Sequence, residues 1–282
     1  MIELIRQRKR TDKLLVAVSR CVGVHVKYTN RSRVIIAWTA FLCQYAIYTR
    51  IDIKTIIKNI RKANRMKKTI LDDGFQQYLT EGATFVGSAG IPMLMNLDNV
   101  QLPKDMIPFA KVRSSTNKRQ YVHFYQHDKE FSVVLTATKR YLDLLKMYDG
   151  VITPDCTMMI NQSPCLLQTN TYMNRAVGFY LQKNGIPVIP NIRWSDESSF
   201  EYCFLGVHKG SMVSVSTHGC IKSKEQKHMF RIGLEAMLDQ IQSKVVLVHG
   251  KMPDEIFLPF KNQVEFHRYA SEFERTHEKV GE

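Results

Sequence analysis

The chain has 282 residues, 44% apolar and 23% charged, a globular balance that can bury one large domain or an ordinary one plus a small one. Its longest apolar run, Val34 to Ile47, is about a turn too short to span a bilayer and has Arg on both sides, so no membrane partner is expected. The net charge is +14, and residues 1–70 carry 17 Lys and Arg against 3 Asp and Glu, while the remainder balances 23 against 23.

A charge excess confined to one quarter of a chain points to an anionic polymer as partner, because each cation placed on a phosphate releases condensed counterions. The alternative is a basic face that only keeps the protein soluble, though such faces usually mix their signs. The basic start and the apolar Leu14–Val18 are cut short by Ser19 and Arg20, unlike a leader peptide, so a cytoplasmic protein is expected. The six cysteines include no C-x-x-C pair; reduced thiols are expected, and neither a disulfide framework nor a zinc site.

Three helices are predicted in residues 1–80. The first runs from about Asp12 to Val24, with Leu14, Leu15, Val18 and Val22 at helical spacing. The second starts near Ser32, a good N-cap, and is apolar nearly all round, as the buried centre of a small bundle would be. The third begins near Asp52 and sets Ile53, Ile56, Ile57 and Ile60 against a basic face. A buried helix followed by an amphipathic basic one suits a helix-turn-helix reader of DNA. The candidate nucleic-acid contacts are Arg6, Arg8, Lys9, Arg10, Arg31, Arg33, Lys54, Lys58, Arg61, Lys62, Arg65, Lys67 and Lys68. On the Arg31-x-Arg33 pair and the Ile53-x-x-Ile56 helix, this segment resembles the C-terminal DNA-binding domain of the bacterial replication initiator. The His-Thr-Thr run of that family is not evident here. A plain helical bundle with a basic surface is the alternative.

Residues 84–282 read as an α/β domain. Pro92, Pro103 and Pro108 mark an irregular entry. Predicted strands are Tyr121–Tyr125, Gly150–Thr153, Val188–Trp194, Met212–Thr217 and Lys244–His249. Between them lie predicted helices Lys139–Met147, Thr171–Lys183, Ser198–Phe204 and Lys224–Gln240. This rhythm implies a largely parallel sheet or a partial barrel, preceded by the small basic all-helical domain.

In such folds functional groups gather beyond the C-terminal strand ends. Those ends deliver Asp155, Asn191, Arg193, Asp196, Glu197 and His218, with Arg175 early in the helix after Asp155. Carboxylates, guanidinium and imidazole on one rim compose a polar pocket able to do acid–base work. Each also has a plainer role open to it: Asp155 as a helix cap, Arg175 with Asp196 or Glu197 as a structural ion pair. His123 and His127 have metal-ligand spacing only on a helix, and their run reads as a strand, so no metal is assigned. No Walker A loop, G-x-G-x-x-G or G-x-S-x-G occurs, which argues against NTPase, dinucleotide and serine-hydrolase chemistry, and no cofactor is assigned.

The runs ITPD at 152–155, NTYMNRAVGFYLQKNG at 170–185, VIPNIRWSDESSFEYCF at 188–204 and VSTHG at 215–219 resemble domain-of-unknown-function family 4417 over residues 84–260. The family often has Gly-Asp-Glu where this chain has Ser195-Asp196-Glu197. The resemblance implies a phage, plasmid or other mobile-element setting and no particular reaction. Two functions stay open: a DNA-binding protein acting in replication, partition or transcription control, and an enzyme cleaving or modifying nucleic acid, nucleotide or sugar.

Overall fold

The computed structural model describes residues 76–96 and 100–278. The three helices expected in residues 1–80, and every basic residue proposed there from Arg6 to Lys68, lie outside the described residues.

Among the described residues a short antiparallel hairpin opens the domain, β1 (Phe85–Val86) with β2 (Ile91–Pro92). Then come β3 (Met106–Pro108), β4 (Tyr121–His123), α1 (Asp128–Ala137), α2 (Leu142–Leu145) and β5 (Gly150–Ile152). They are followed by α3 (Pro164–Lys183), β6 (Val188–Ile189), α4 (Phe200–Cys203), β7 (Val213–Ser216) and α5 (Lys224–Ile241). The chain continues through β8 (Val245–His249), α6 (Asp254–Phe257), β9 (Glu265–Tyr269) and α7 (Glu272–Glu278).

Strands β3-β4-β5-β6 form one parallel sheet and β7-β8-β9 a second. A parallel bridge between Asn191 and Ser214 joins them just past β6, with Ile192 N–H donating to Ser214 O and Ser214 N–H to Pro190 O, both at 2.8 Å. The two sheets therefore make one parallel run that curls on itself. Met106, Tyr121, Ile152, Ile189, Leu247 and Tyr269, from six of its strands, share a single interior cluster. Across the gap between the edge strands, Tyr269 donates to Pro103 O at 2.6 Å and Arg275 pairs with Asp105 at 2.7 Å. The architecture is a partial barrel of parallel strands.

The period-2 alternation of β-structure sorts the side chains. Val213, Val215, Val246 and Val248 face outward under α5, while Val122, Val151 and Val188 pack with α1 and α3. The alternate positions point inside, and their polarity rises along the chain: Ile189 then Asn191, Met212 then Ser214 and Ser216, Leu247 then His249. The apolar end closes the barrel floor, and the polar side chains gather at its C-terminal mouth.

Several expectations change. The helix predicted from Thr171 begins at Pro164, so Arg175 sits mid-helix, not in its first turn. Lys139–Met147 is a 3-10 turn, Thr138–Tyr141, running into the four residues of α2. Ser198–Phe204 is likewise a 3-10 turn, Glu197–Ser199, followed by the single turn of α4. The irregular entry contains β3, and β9 was not anticipated at all. β3 has three residues ending in Pro108. In β9, Glu265 is exposed and His267 is only partly buried, so its pattern lacks the apolar run that marks the inner strands.

Candidate active site

Asp155 follows β5 by three residues, and its buried carboxylate accepts from Asn191 Nδ2 at 2.8 Å and from Arg193 at 3.0 Å. The Asn191 amide is oriented by a chain behind it: its Oδ1 lies 3.1 Å from the Tyr125 hydroxyl, which lies 2.5 Å from Ser214 Oγ. One consistent set of protons runs Ser214 to Tyr125 to Asn191 to Asp155, and every link is buried.

The loop that carries Asp155 is pinned from several elements. Asp128, opening α1, accepts from Thr157 N–H at 3.2 Å and from its hydroxyl at 2.8 Å. Two asparagines of α3 hold the loop's carbonyls: Asn170 donates to Thr157 O at 2.6 Å and Asn174 to Pro154 O at 2.7 Å. Asn174 also donates to Asn191 O, so one helix sets the spacing between the strands that carry Asp155 and Arg193.

Burial raises the Asp155 pKa above the ordinary carboxylate value, while Arg193 and Asn191 pull it back. Arg193, partly buried, is held charged chiefly by Asp155. A buried carboxyl with a raised pKa beside a fixed cation is an arrangement that can exchange a proton.

A cavity of about 450 Å³ opens on this pair, within the size range of small-ligand sites. Thr157, Met158, Met159 and Ile160 line it from the loop after β5, Ile192, Trp194 and Ser195 from the loop after β6. Ser216, Gly219 and Cys220 line it from the end of β7, and Gln226, Met229 and Phe230 from α5. Trp194 lies on Gly233 of α5, where a Cβ would strike its indole. Burial pushes the Cys220 thiol up, so it is not an activated nucleophile.

Beneath the mouth lies a buried aromatic stack. The His249 ring is 4.4 Å from that of Tyr125 and 4.9 Å from that of His123. Its Nδ1 is 3.0 Å from Ser216 Oγ, and its Nε2 is buried without a partner. Burial, aided by His218, pushes the His249 pKa down to about 3, so the ring is neutral at physiological pH.

The sequence-predicted residues separate into three groups. Asp155, Asn191 and Arg193 come together as one hydrogen-bonded unit. Arg175, 1% exposed, is the buttress behind them. It donates to Leu205 O and Cys203 O at 2.9 Å and to Asn191 O at 3.1 Å, and also bonds Asn174. It is not in an ion pair with Asp196 or Glu197; carbonyl oxygens satisfy it, and burial lowers its pKa to about 10. Asp196 caps the Glu197–Ser199 turn through Ser198 N–H at 3.1 Å, and Glu197 is exposed. Neither of these carboxylates lines the cavity. His218 is exposed on the loop after β7, with its ring 6.2 Å from that of His249.

Sequence reasoning missed Asp128, Tyr125, Ser214 and Ser216 as parts of the site. Tyr125, Ser214 and Ser216 alternate with valines or other apolar residues on their strands, and polar residues at inward positions near strand ends were the available signal.

The chain belongs to the family described as Domain of unknown function (DUF4417), which it matches over residues 83–269. It is 31% identical to the Gene 1 protein of Mycobacterium phage L5 over 167 residues, 56% of this chain and 73% of that protein. It is 29% identical to the Gene 1 protein of Mycobacterium phage D29 over 163 residues, 57% of this chain and 58% of that protein. No solved structure matches the chain. The expected setting among phage proteins is thus met. No described helix is long and apolar enough to cross a membrane.

Proposed function

We propose that the chain is a DNA-binding protein of a phage or mobile element whose barrel performs acid–base chemistry on nucleic acid or a nucleotide. The observation that carries the reading is the Asp155 carboxyl, buried at the C-terminal mouth of parallel strands, raised in pKa and open to a cavity of about 450 Å³. In this reading Asp155 takes or gives the proton, and Arg193 holds an electron-rich group of the substrate. Asn191, set by Tyr125 and Ser214, keeps the carboxylate in one orientation. Residues 1–70, with 17 basic against 3 acidic side chains, hold the phosphate backbone and bring the polymer to the barrel.

The test uses the full chain and its Asp155→Asn variant, incubated with oligonucleotides and nucleotides and followed by mass spectrometry. Wild type is expected to change the mass of one substrate class, and the variant to lose about 100-fold or more in rate while still melting cooperatively. Equal rates in the two proteins would remove Asp155 from the chemistry.

The charge distribution independently favours a role in DNA binding alone, as in replication, partition or transcription control. That reading predicts salt-dependent binding with no chemical change in the DNA.

A further inference from the structure

The cavity lining divides by chemistry. Asp155 and Arg193 are its charged lining residues, and Met158, Met159, Ile160, Trp194, Met229 and Phe230 its large apolar ones. Met159 and Ile160 are 57% and 55% exposed, large apolar groups left in water at the rim, a placement that marks a surface to be covered. Ser195 Oγ, on the same lining, is buried without a partner.

The polar end has unused capacity that can be counted. A carboxylate has about four lone-pair positions and a guanidinium five N–H donors. Asn191 occupies one position on Asp155 Oδ1 and Arg193 one on Oδ2, so each oxygen can accept once more. Arg193 gives NH1 to that bond and keeps donors for an acceptor alongside. The complementary ligand has two adjacent N–H donors next to a carbonyl oxygen, on a flat body that the methionines and aromatics can cover. Among the common nucleobases guanine has that edge: N1–H and the N2 amino group beside O6. A sugar offers hydroxyls at such an end but no pair of N–H donors beside a carbonyl.

Resting on the nucleic-acid reading above and specifying its substrate, we infer that the cavity is a guanine-recognition site, with Asp155 facing N1–H and the N2 amino group, N1–H being the proton it exchanges, and Arg193 reading the carbonyl. The base arrives either on a free nucleotide or unstacked from a strand, since its donor edge is paired inside a duplex.

The experiment is calorimetric titration of the full chain with GMP, AMP, CMP and UMP, then with single-stranded thymidine oligonucleotides with and without one central guanine. GMP is expected to bind at least about tenfold tighter than the other three, the discrimination typical of a well-matched bidentate base contact. Asp155→Asn should erase that preference, and Met159→Ala with Ile160→Ala, at exposed positions that do not threaten folding, should weaken GMP about threefold or more. A gain from the guanine-bearing oligonucleotide over the plain one identifies a base within a strand as the source. A gain with GMP alone identifies the free nucleotide; either supports the site. Equal binding of all four nucleotides, no binding of any, or a guanine preference untouched in both variants overturns it. Should Asp155→Asn abolish substrate turnover while no guanine preference exists, the base assignment falls and the acid–base reading stands.

Discussion

Burial acts in opposite senses on the two buried titrating groups of the mouth. Asp155 binds its proton more tightly folded than unfolded, so its ionisation works against the fold as pH rises above 3.8. For His249 the folded pKa falls from 6.5 to about 3. There the unfolded chain binds the proton first, and stability is lost as pH drops from 6.5 toward 3. The ring is faced by His123, Tyr125, His218 and Ser216, with the charges of Glu274 and Arg275 felt at longer range. Urea unfolding at stepped pH should show a declining acid limb below 6.5, and His249→Phe should flatten it. An unchanged acid limb in that variant would mean that other groups, such as the buried His123, dominate it. Asp155→Asn should leave the acid limb of stability in place, because that residue titrates with the opposite sign.

Helix α3 shows how an element can act through residues that never touch a ligand. Asn170 and, one turn later, the adjacent Asn174 and Arg175 tie together the loops after β5 and β6 and the end of α4. Replacing Arg175 by Ala would take the guanidinium donors from Leu205 O and Cys203 O, while Asn191 O would keep Asn174. A loss of about 2–6 kcal/mol is expected, since each buried acceptor left unsatisfied costs about 1–3 kcal/mol. Arg175→Lys should recover little of it, since an ammonium cannot reproduce a planar fork of donors. Denaturant melts measure both; a stable Arg175→Ala protein would show that the three loops hold themselves. On α5, Gly233→Ala should cost about 1–3 kcal/mol by over-packing and displace Trp194 from the cavity wall, a change visible in tryptophan fluorescence. An unshifted spectrum would show that the wall yields elsewhere.

The same contrast explains what the sequence revealed. β5, β7 and β8 were legible because their valines and isoleucines form short runs closed by Gly or polar residues. α5 was legible as the helix Lys224–Gln240, and the structure adds its reciprocal cap between Ser223 and Gln226. Asp155 and Arg193 were found because strand ends in parallel folds are where function gathers. The role of Arg175 was misread because sequence places a charge on a helix but not whether carbonyls or a carboxylate will satisfy it. β9 and the edge that nearly closes the barrel were invisible because they depend on contacts between residues far apart in the chain, such as Tyr269 with Pro103.

At the scale of the whole molecule, a basic segment precedes a domain whose charges balance. DNA affinity should fall steeply with salt, and removing residues 1–70 should abolish it. Lys58, Arg61 and Lys62 replaced together by Ala should reduce the salt slope by up to about three contacts. A triple variant that weakens one sequence only, with its slope intact, would make these residues base readers instead.

The central claim is that Asp155 works chemically on a nucleic-acid substrate, and the most direct measurement is the mass of oligonucleotides and nucleotides before and after incubation with the wild type and Asp155→Asn. The account predicts a defined mass change that requires Asp155, with the variant still folded. A change produced equally by the variant, or substrates returned unaltered by wild type across the whole panel, would contradict it.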